Sequence, residues 1–347
     1  MRIGQNPAKF VDTVPTPARV TAVVITYIPV LGGYYEQSLD VLKTCLASMR
    51  AGTETPLDLL VYDNASCEEV RAYLIAEHDA GRIQYLTLSE QNVGKAAAWN
   101  FSFAAAPGEI IAYADADIYF EPGWLENLAA VLDAYPEAGM VTGIPMWSPA
   151  EFSTATIDWA QRTEGVALHE GKLLPWEDYW SHAGSLGQSE EEARAHFAEQ
   201  TDRMIEDSRP LSVISGQSPV DNDLPPFTRH SAPGTLRLRS GQARHPSRFF
   251  IGAGHFQFLS RKSVLSAVLP IPADRPMGQV RRLDAAVNAA GFLRLSTPDW
   301  WVRHMGNAPD ETGPLPAAGA PKPRLRGPLR TLVQWIYHRA FELLYRT

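Results

Sequence analysis

Asp115-Ala116-Asp117 is the sharpest chemical signal in the chain. Two carboxylates one residue apart, closing the apolar run Ile110-Ile111-Ala112-Tyr113-Ala114, can project toward one hard cation and a diphosphate. Mg²⁺ and Mn²⁺ are held this way, by one or two carboxylates plus substrate phosphate oxygens. Asp-x-Asp also occurs in loops where the carboxylates only accept local backbone donors. The flanking sequence therefore decides the reading. Gly252-Ala253-Gly254 begins like a dinucleotide loop, but it has no third glycine and no following βαβ acidic residue, and it is rejected as one.

Regular elements must position these carboxylates. Residues 20–27 (VTAVVITY) form a short β-branched run with the composition of a strand buried on both faces, and 57–62 a second. Residues 83–88, 109–114 and 138–143 read as further strands. Between them, 38–50, 68–78, 95–106 and 123–134 read as helices, the first with Leu39, Leu42, Leu46 and Met49 at helical spacing. This alternation predicts βαβ units on a mostly parallel sheet. Ligands bind such sheets beyond the carboxyl ends of strands, which points to Thr26-Tyr27, Asp63-Asn64 and Asp115 with Asp117.

From about residue 147 the rhythm stops. Residues 148–185 are mixed and aromatic-rich, and 189–206 predict a helix opened by Ser189 and Glu192 at capping-box spacing. Residues 215–248, rich in Pro, Gly, Ser and Arg, predict a long loop. A strand-like run follows at 249–260, then helices at 261–268 and 280–290 and a strand at 292–296. Residues 308–328 hold six prolines and read as a linker before a final helix at 329–345.

The chain has 347 residues, enough for about two lobes. Its 31 basic and 39 acidic residues leave a net charge of −8, which argues against a dedicated nucleic-acid binder. Cys45 and Cys67 alone make neither a disulfide framework nor a four-ligand zinc site, and predict a reducing compartment. The first twenty residues lack an apolar signal core, and no stretch reaches the ~18 apolar residues of a spanning helix. The expectation is a cytoplasmic protein, with peripheral contact to the inner face of a membrane as an option.

Four pieces in order over residues 20–128 resemble the nucleotide-binding half of inverting glycosyltransferases of family 2. They are VVITY (23–27), LLVYDNAS (59–66), QNVGKAAAWN (91–100) and IIAYADADIYFEPGWLENL (110–128). The resemblance implies an α/β fold of the GT-A type, a Rossmann-like, mostly parallel nucleotide-binding sheet flanked by helices. Residues 1–19 would be a lead-in, 20–147 the nucleotide-sugar half, and 148–307 the acceptor half with loop 215–248. The implied reaction is metal-dependent, inverting transfer of a sugar from a nucleotide-diphospho-sugar to a hydroxyl acceptor. UDP is the first expectation for the donor nucleotide, with GDP or dTDP as alternatives. The acceptor would be a glycan or lipid-linked sugar, which would place the protein in polysaccharide biosynthesis.

The resemblance also implies roles. Thr26 and Tyr27 would line the base pocket, and Asp63 would hydrogen-bond base or ribose. Asn92 and Gly94 would let the backbone approach the nucleotide, and Lys95 would offer a cation. Asp115 would face ribose or metal, and Asp117 would ligate Mn²⁺ or Mg²⁺. Two positions depart from the family's pattern: Ile28 stands where Asn is common and Ala65 where Gly is common. Farther on, IGAGHFQFLSRKSV (251–264) resembles the sugar and acceptor side, and RRLDAAVNAAGFLRLSTPDWWVRHMGN (281–307) resembles the C-terminal pattern. There Asp284 is the candidate catalytic base and His304 a third metal ligand, although Arg281 and Arg282 precede Asp284 in place of the usual Glu-Asp pair. Glu177, Asp178 and Asp274 are reserve bases.

Two rival functions were weighed. A sugar-phosphate nucleotidyltransferase should carry a basic, Gly-rich loop after its first strand, whereas ITYIPVLGG has no Arg or Lys. A non-catalytic scaffold of the same fold would bind a nucleotide sugar without turnover. Arg229, Arg237, Arg239, Arg244 and Arg248 suggest either a solvated loop or a lid over an anion. Lys322, Arg324, Arg326 and Arg330 beside the amphipathic 329–345 segment suggest either attachment to an anionic membrane or a docked helix.

Overall fold

The computed structural model describes residues 5–10, 13–209, 247–275 and 279–309. The chain divides at Pro309 into Met1–Pro309 and Asp310–Thr347. Most of the expected 215–248 loop, with Arg229, Arg237, Arg239 and Arg244, lies outside the described residues. So do the linker beyond Pro309 and the 329–345 segment.

Four strands build the first half: β1 (Val20–Thr26), β2 (Leu57–Asn64), β3 (Tyr85–Ser89) and β4 (Ile110–Asp115). They pair in parallel in the order β3-β2-β1-β4. Their crossovers carry α1 (Ser38–Ala51), α2 (Glu68–Asp79) and α3 (Lys95–Ala105). The near-continuous apolar runs follow from burial on both faces. Val20, Ala22 and Val24 of β1 join one core cluster, and Val23 joins the other. Likewise Ile110, Ala112 and Ala114 face one side, and Ile111 and Tyr113 the other. The register aligns the strand ends: Thr26 lies beside Asp63, and Ile25 beside Asp115.

After β4 come β5 (Ile118–Phe120), α4 (Trp124–Ala134), β6 (Ala138–Thr142), α5 (Thr154–Arg162), β7 (Val166–Gly171), α6 (Trp176–Ser185), α7 (Glu190–Glu199) and β8 (Asp202–Asp207). The described chain closes with β9 (Ser247–Ile251), β10 (Gln257–Arg261), α8 (Lys262–Val268), α9 (Val280–Ala289), β11 (Leu293–Ser296) and β12 (Val302–His304). The main sheet has ten strands, ordered β3-β2-β1-β4-β10-β6-β11-β9-β8-β7. The α/β class expected from the sequence is thus present. The sheet is parallel through its first half and mixed beyond, where β10 enters antiparallel between β4 and β6.

Two segments differ from their sequence pattern. The expected 189–206 helix stops at Glu199, although the Ser189–Glu192 capping box forms as read. Residues 202–207 instead pair antiparallel with both β7 and β9, so tertiary ladder partners override local helix propensity. The 249–260 run is two strands separated by a turn. Gly252 there has φ 131°, and a Cβ on it would lie 2.3 Å from that of Ser148. No helix among the described residues is long and apolar enough to cross a membrane.

Candidate active site at the strand ends

The first wall of the site is the turn after β2. Asp63 is fully buried, and its carboxylate accepts the Ser66 amide at 3.1 and 3.3 Å. Burial pushes this carboxyl above its ordinary range, while Ser66 and Arg71, whose Nε is 4.0 Å away, pull it back. Ala65 adopts φ 70°, the left-handed conformation that glycine takes freely. The departure from the family pattern therefore keeps the turn and adds strain to it. Thr26 is buried with an unpartnered hydroxyl, and Tyr27 follows it, half-buried.

The Asn-x-Gly loop is pinned to this turn. Asn64 donates Nδ2 to Asn92 Oδ1 at 2.8 Å, and the Val93 amide donates to Asn64 Oδ1 at 2.9 Å. Asn92 Oδ1 also accepts the Gly94 amide at 2.9 Å. Gly94 has φ 80° and caps α3, so that Lys95 opens the helix pointing at β4. Lys95 Nζ lies 2.6 Å from Asp115 Oδ1 and 2.7 Å from Oδ2, and sits over Trp99 and Tyr113 at 5.1 and 5.7 Å. Tyr113 also donates its hydroxyl to Asp115. Burial, then the Asp115 charge, pushes that phenol well above its usual range.

Two residues on, Asp117 meets His304. The short sheet β5–β12 pairs Ile118 with His304, which brings the His304 Nε2 to 3.2 Å from Asp117 Oδ2. Burial works against both charges, but their mutual attraction prevails. Asp117 is held below the ordinary carboxylate range and His304 is raised. Asp117 Oδ1 and His304 Nδ1 are both buried without a hydrogen-bond partner. His182 from α6 stands beside them, 6.2 Å from His304 between ring centres and packed on Phe256 at 4.8 Å. Burial first, then neighbouring imidazoles, pushes its pKa down to about 3, so His182 is neutral.

Asp284 lies deeper, on α9, and is 5% exposed. Arg294 Nη2 is 2.9 Å away and His255 Nδ1 3.5 Å away. The reserve bases stand in other surroundings. Asp178 accepts the Trp300 indole N–H at 2.9 Å, Asp274 pairs with Arg282 at 3.0 Å, and Glu177 is exposed on α6. Arg248, from the stretch that suggests either a solvated loop or a lid, lies in β9 and pairs with Glu206 at 2.7 Å. Among the described residues no three His, Cys, Asp or Glu side chains converge tightly enough to hold a metal by themselves.

The structure thus brings Lys95, Asp115, Asp117 and His304 together at one end of β4, beside the β1 and β2 termini. Sequence reasoning passed over Tyr113, His182, His255 and Arg294. His255 stood in plain view between Gly254 and Phe256, just ahead of a strand. The partnership of Arg294 with Asp284 had no local signal.

The family model described as Glycosyl transferase family 2 matches residues 33–181. That match covers less than half of the chain. The matched segment contains Asp63, Asn92, Lys95, Asp115 and Asp117, while His182, His255, Asp284 and His304 come from the chain beyond it. An uncharacterized glycosyltransferase of Nostoc sp. is 26% identical over 129 residues, which are 37% of this chain and 39% of that protein. The chain therefore matches well under half of that relative's length. Among solved structures, the mannosyltransferase PcManGT of Pyrobaculum calidifontis, in complex with GDP-mannose and Mn²⁺, is 26% identical over 39% of each chain, with a TM-score of 0.31. TarS of S. aureus, residues 1–349, is 22% identical over 37% of this chain and 35% of that one, with a TM-score of 0.30.

Proposed function

We propose that the protein transfers a sugar from a nucleotide-diphospho-sugar to a hydroxyl acceptor, with metal dependence and inversion at the anomeric carbon. The observation that carries this reading is the convergence of Lys95, Asp115, Asp117 and His304 at the carboxyl end of β4. Anionic ligands bind parallel sheets beyond such ends, and the segment that the family 2 model matches covers three of the four residues.

The donor set fits a divalent cation. Asp117 Oδ1 and His304 Nδ1 are buried polar atoms without partners, and carboxylate oxygen is the ligand that Mg²⁺ and Mn²⁺ favour. Asp117, His304 and Asp115 would hold the ion, with phosphate oxygens of the donor completing the set. When bound, it would supply Lewis-acid stabilisation of the charge developing on the departing diphosphate.

The chain's own groups do the rest. Tyr27 would pack on the base, with Thr26 lining the pocket. Asp63, already engaged by Ser66, would contribute to that pocket as a buried anion. Gly94 would let the loop backbone approach the nucleotide, since it has no Cβ. Lys95 would exchange Asp115 for a phosphate oxygen and so place positive charge where the leaving group gains negative charge. The acceptor oxygen attacks the anomeric carbon opposite the diphosphate, and its proton passes to the cluster around Asp284. One displacement inverts the centre.

The test is nucleotide release and sugar transfer from UDP-, GDP- and dTDP-sugars with and without Mn²⁺, with the product anomer read by NMR. The reading predicts turnover with one nucleotide, dependence on metal, an inverted product and loss of activity in Asp117→Ala. Binding of a nucleotide sugar without any turnover would favour the scaffold instead.

A further inference from the structure

This inference rests on the transfer reaction proposed above and identifies the group that meets the acceptor's proton. Asp284 itself is only 5% exposed and offers an acceptor hydroxyl little open surface. Arg294 supplies the counter-charge, 2.9 Å away, and is only 1% exposed. Its guanidinium is fixed in turn by the Phe152 carbonyl at 2.6 Å and the Ala253 carbonyl at 2.5 Å. The member of this cluster that reaches the open side is His255. Its side chain is 35% exposed and its Nδ1 lies 3.5 Å from Asp284 Oδ2. Among the described residues, no hydrogen bond engages its Nε2.

His255 also sits next to the donor side. The carbonyl of the following residue, Phe256, accepts the Asp115 amide at 2.7 Å, and the Phe256 ring packs on His182. We infer that His255 is the catalytic base of the transfer, with Asp284 as the positioning residue that orients its imidazole and Arg294 as the buried ion that fixes Asp284. A nucleophile's base, oriented in turn by a buried carboxylate, is a recurring catalytic order.

In the step, His255 Nε2 takes the hydroxyl proton as the acceptor oxygen bonds to the anomeric carbon. The bond from that carbon to the diphosphate oxygen breaks, and its electron pair leaves with the nucleotide. The resulting imidazolium faces the Asp284 carboxylate and later releases its proton to solvent. Among the described residues, Arg294 from β11, paired with Asp284, and the neutral His182 from α6 are further charged or titratable groups near His255.

The experiment measures nucleotide release from UDP-, GDP- and dTDP-glucose with water as the probe acceptor, alongside donor-induced melting shifts. His255→Gln should lower kcat by about 10²–10⁴-fold while leaving the donor-induced shift intact. The wild-type rate should rise with pH, and that rise should flatten in this variant. His255→Ala should recover activity with added imidazole, which a merely structural role would not allow. Asp284→Asn should lower kcat with the donor-induced shift retained; should it fail to fold, the His255 variants still decide the matter. Wild-type rates in His255→Gln would overturn the inference, as would loss of its donor-induced shift. A wild-type protein that binds donor but releases no nucleotide would instead remove the transfer reaction, and this inference with it.

Discussion

At the scale of single residues, the turn after β2 carries a strain that can be measured. Ala65 holds φ 70°, a conformation costing an L-residue about 1–2 kcal/mol. Glycine would relieve this but would give back about 0.4–1 kcal/mol through a freer unfolded chain. Ala65→Gly should therefore stabilise the protein by up to about 1 kcal/mol, read as a higher urea midpoint with unchanged slope. An unchanged or lower midpoint would show that the turn tolerates alanine without strain. Residues whose partners are near in sequence were legible beforehand. Asn92, Gly94 and Lys95 form one loop and helix start, and Asp115 and Asp117 end one strand. His255, Asp284 and Arg294 were not legible as a group, because each comes from a different element of the mixed half of the sheet.

At the scale of elements, Glu126 shows how α4 is tied to the connection between α1 and β2. Its Oε1 accepts the Thr55 hydroxyl at 2.8 Å, the Thr55 amide at 2.9 Å and the Glu54 amide at 3.1 Å, besides the Thr53 hydroxyl. Burial opposes the charge, but these donors hold the carboxyl below its ordinary range. Hydrogen bonds to a charged group contribute about 1.5–3 kcal/mol, so Glu126→Ala should cost roughly 2 kcal/mol in chemical denaturation. A depressed folded pKa means the contribution is complete above the ordinary glutamate value of about 4.3. It is lost as pH falls through the lower folded value. The gap between wild type and variant should accordingly narrow in acid, and a gap independent of pH would contradict the assignment. The βαβ elements were readable because burial on both faces writes itself as continuous apolar runs. Strands β5, β7 and β12 were not, since short or edge strands carry little composition of their own. Residues 202–207 read as helix until their ladder partners were known.

At the scale of the whole molecule, two stretches of the chain contribute to one candidate site. The segment that the family 2 model matches supplies Lys95, Asp115 and Asp117, and later segments supply His304, His255 and Asp284. The short β5–β12 pairing is what draws His304 to Asp117. The basic, amphipathic sequence at 322–345 leads to a separate expectation, that the chain contacts anionic lipid. Flotation with phosphatidylserine-containing liposomes should recover the full chain, and much less of a chain ending at Gly319. Equal recovery of both would end that idea without touching the transfer reaction.

The most direct test of the account is thermal melting against UDP, GDP and dTDP, each with and without Mn²⁺, in wild type and Asp117→Ala. A ligand at ~100 times its Kd stabilises by about 2.7 kcal/mol, which for a chain of this size is a shift of roughly 4 °C. The account predicts one nucleotide that shifts the curve only with metal, and no such shift in Asp117→Ala. A nucleotide shift that survives both metal removal and Asp117→Ala, or no shift with any nucleotide, would contradict it.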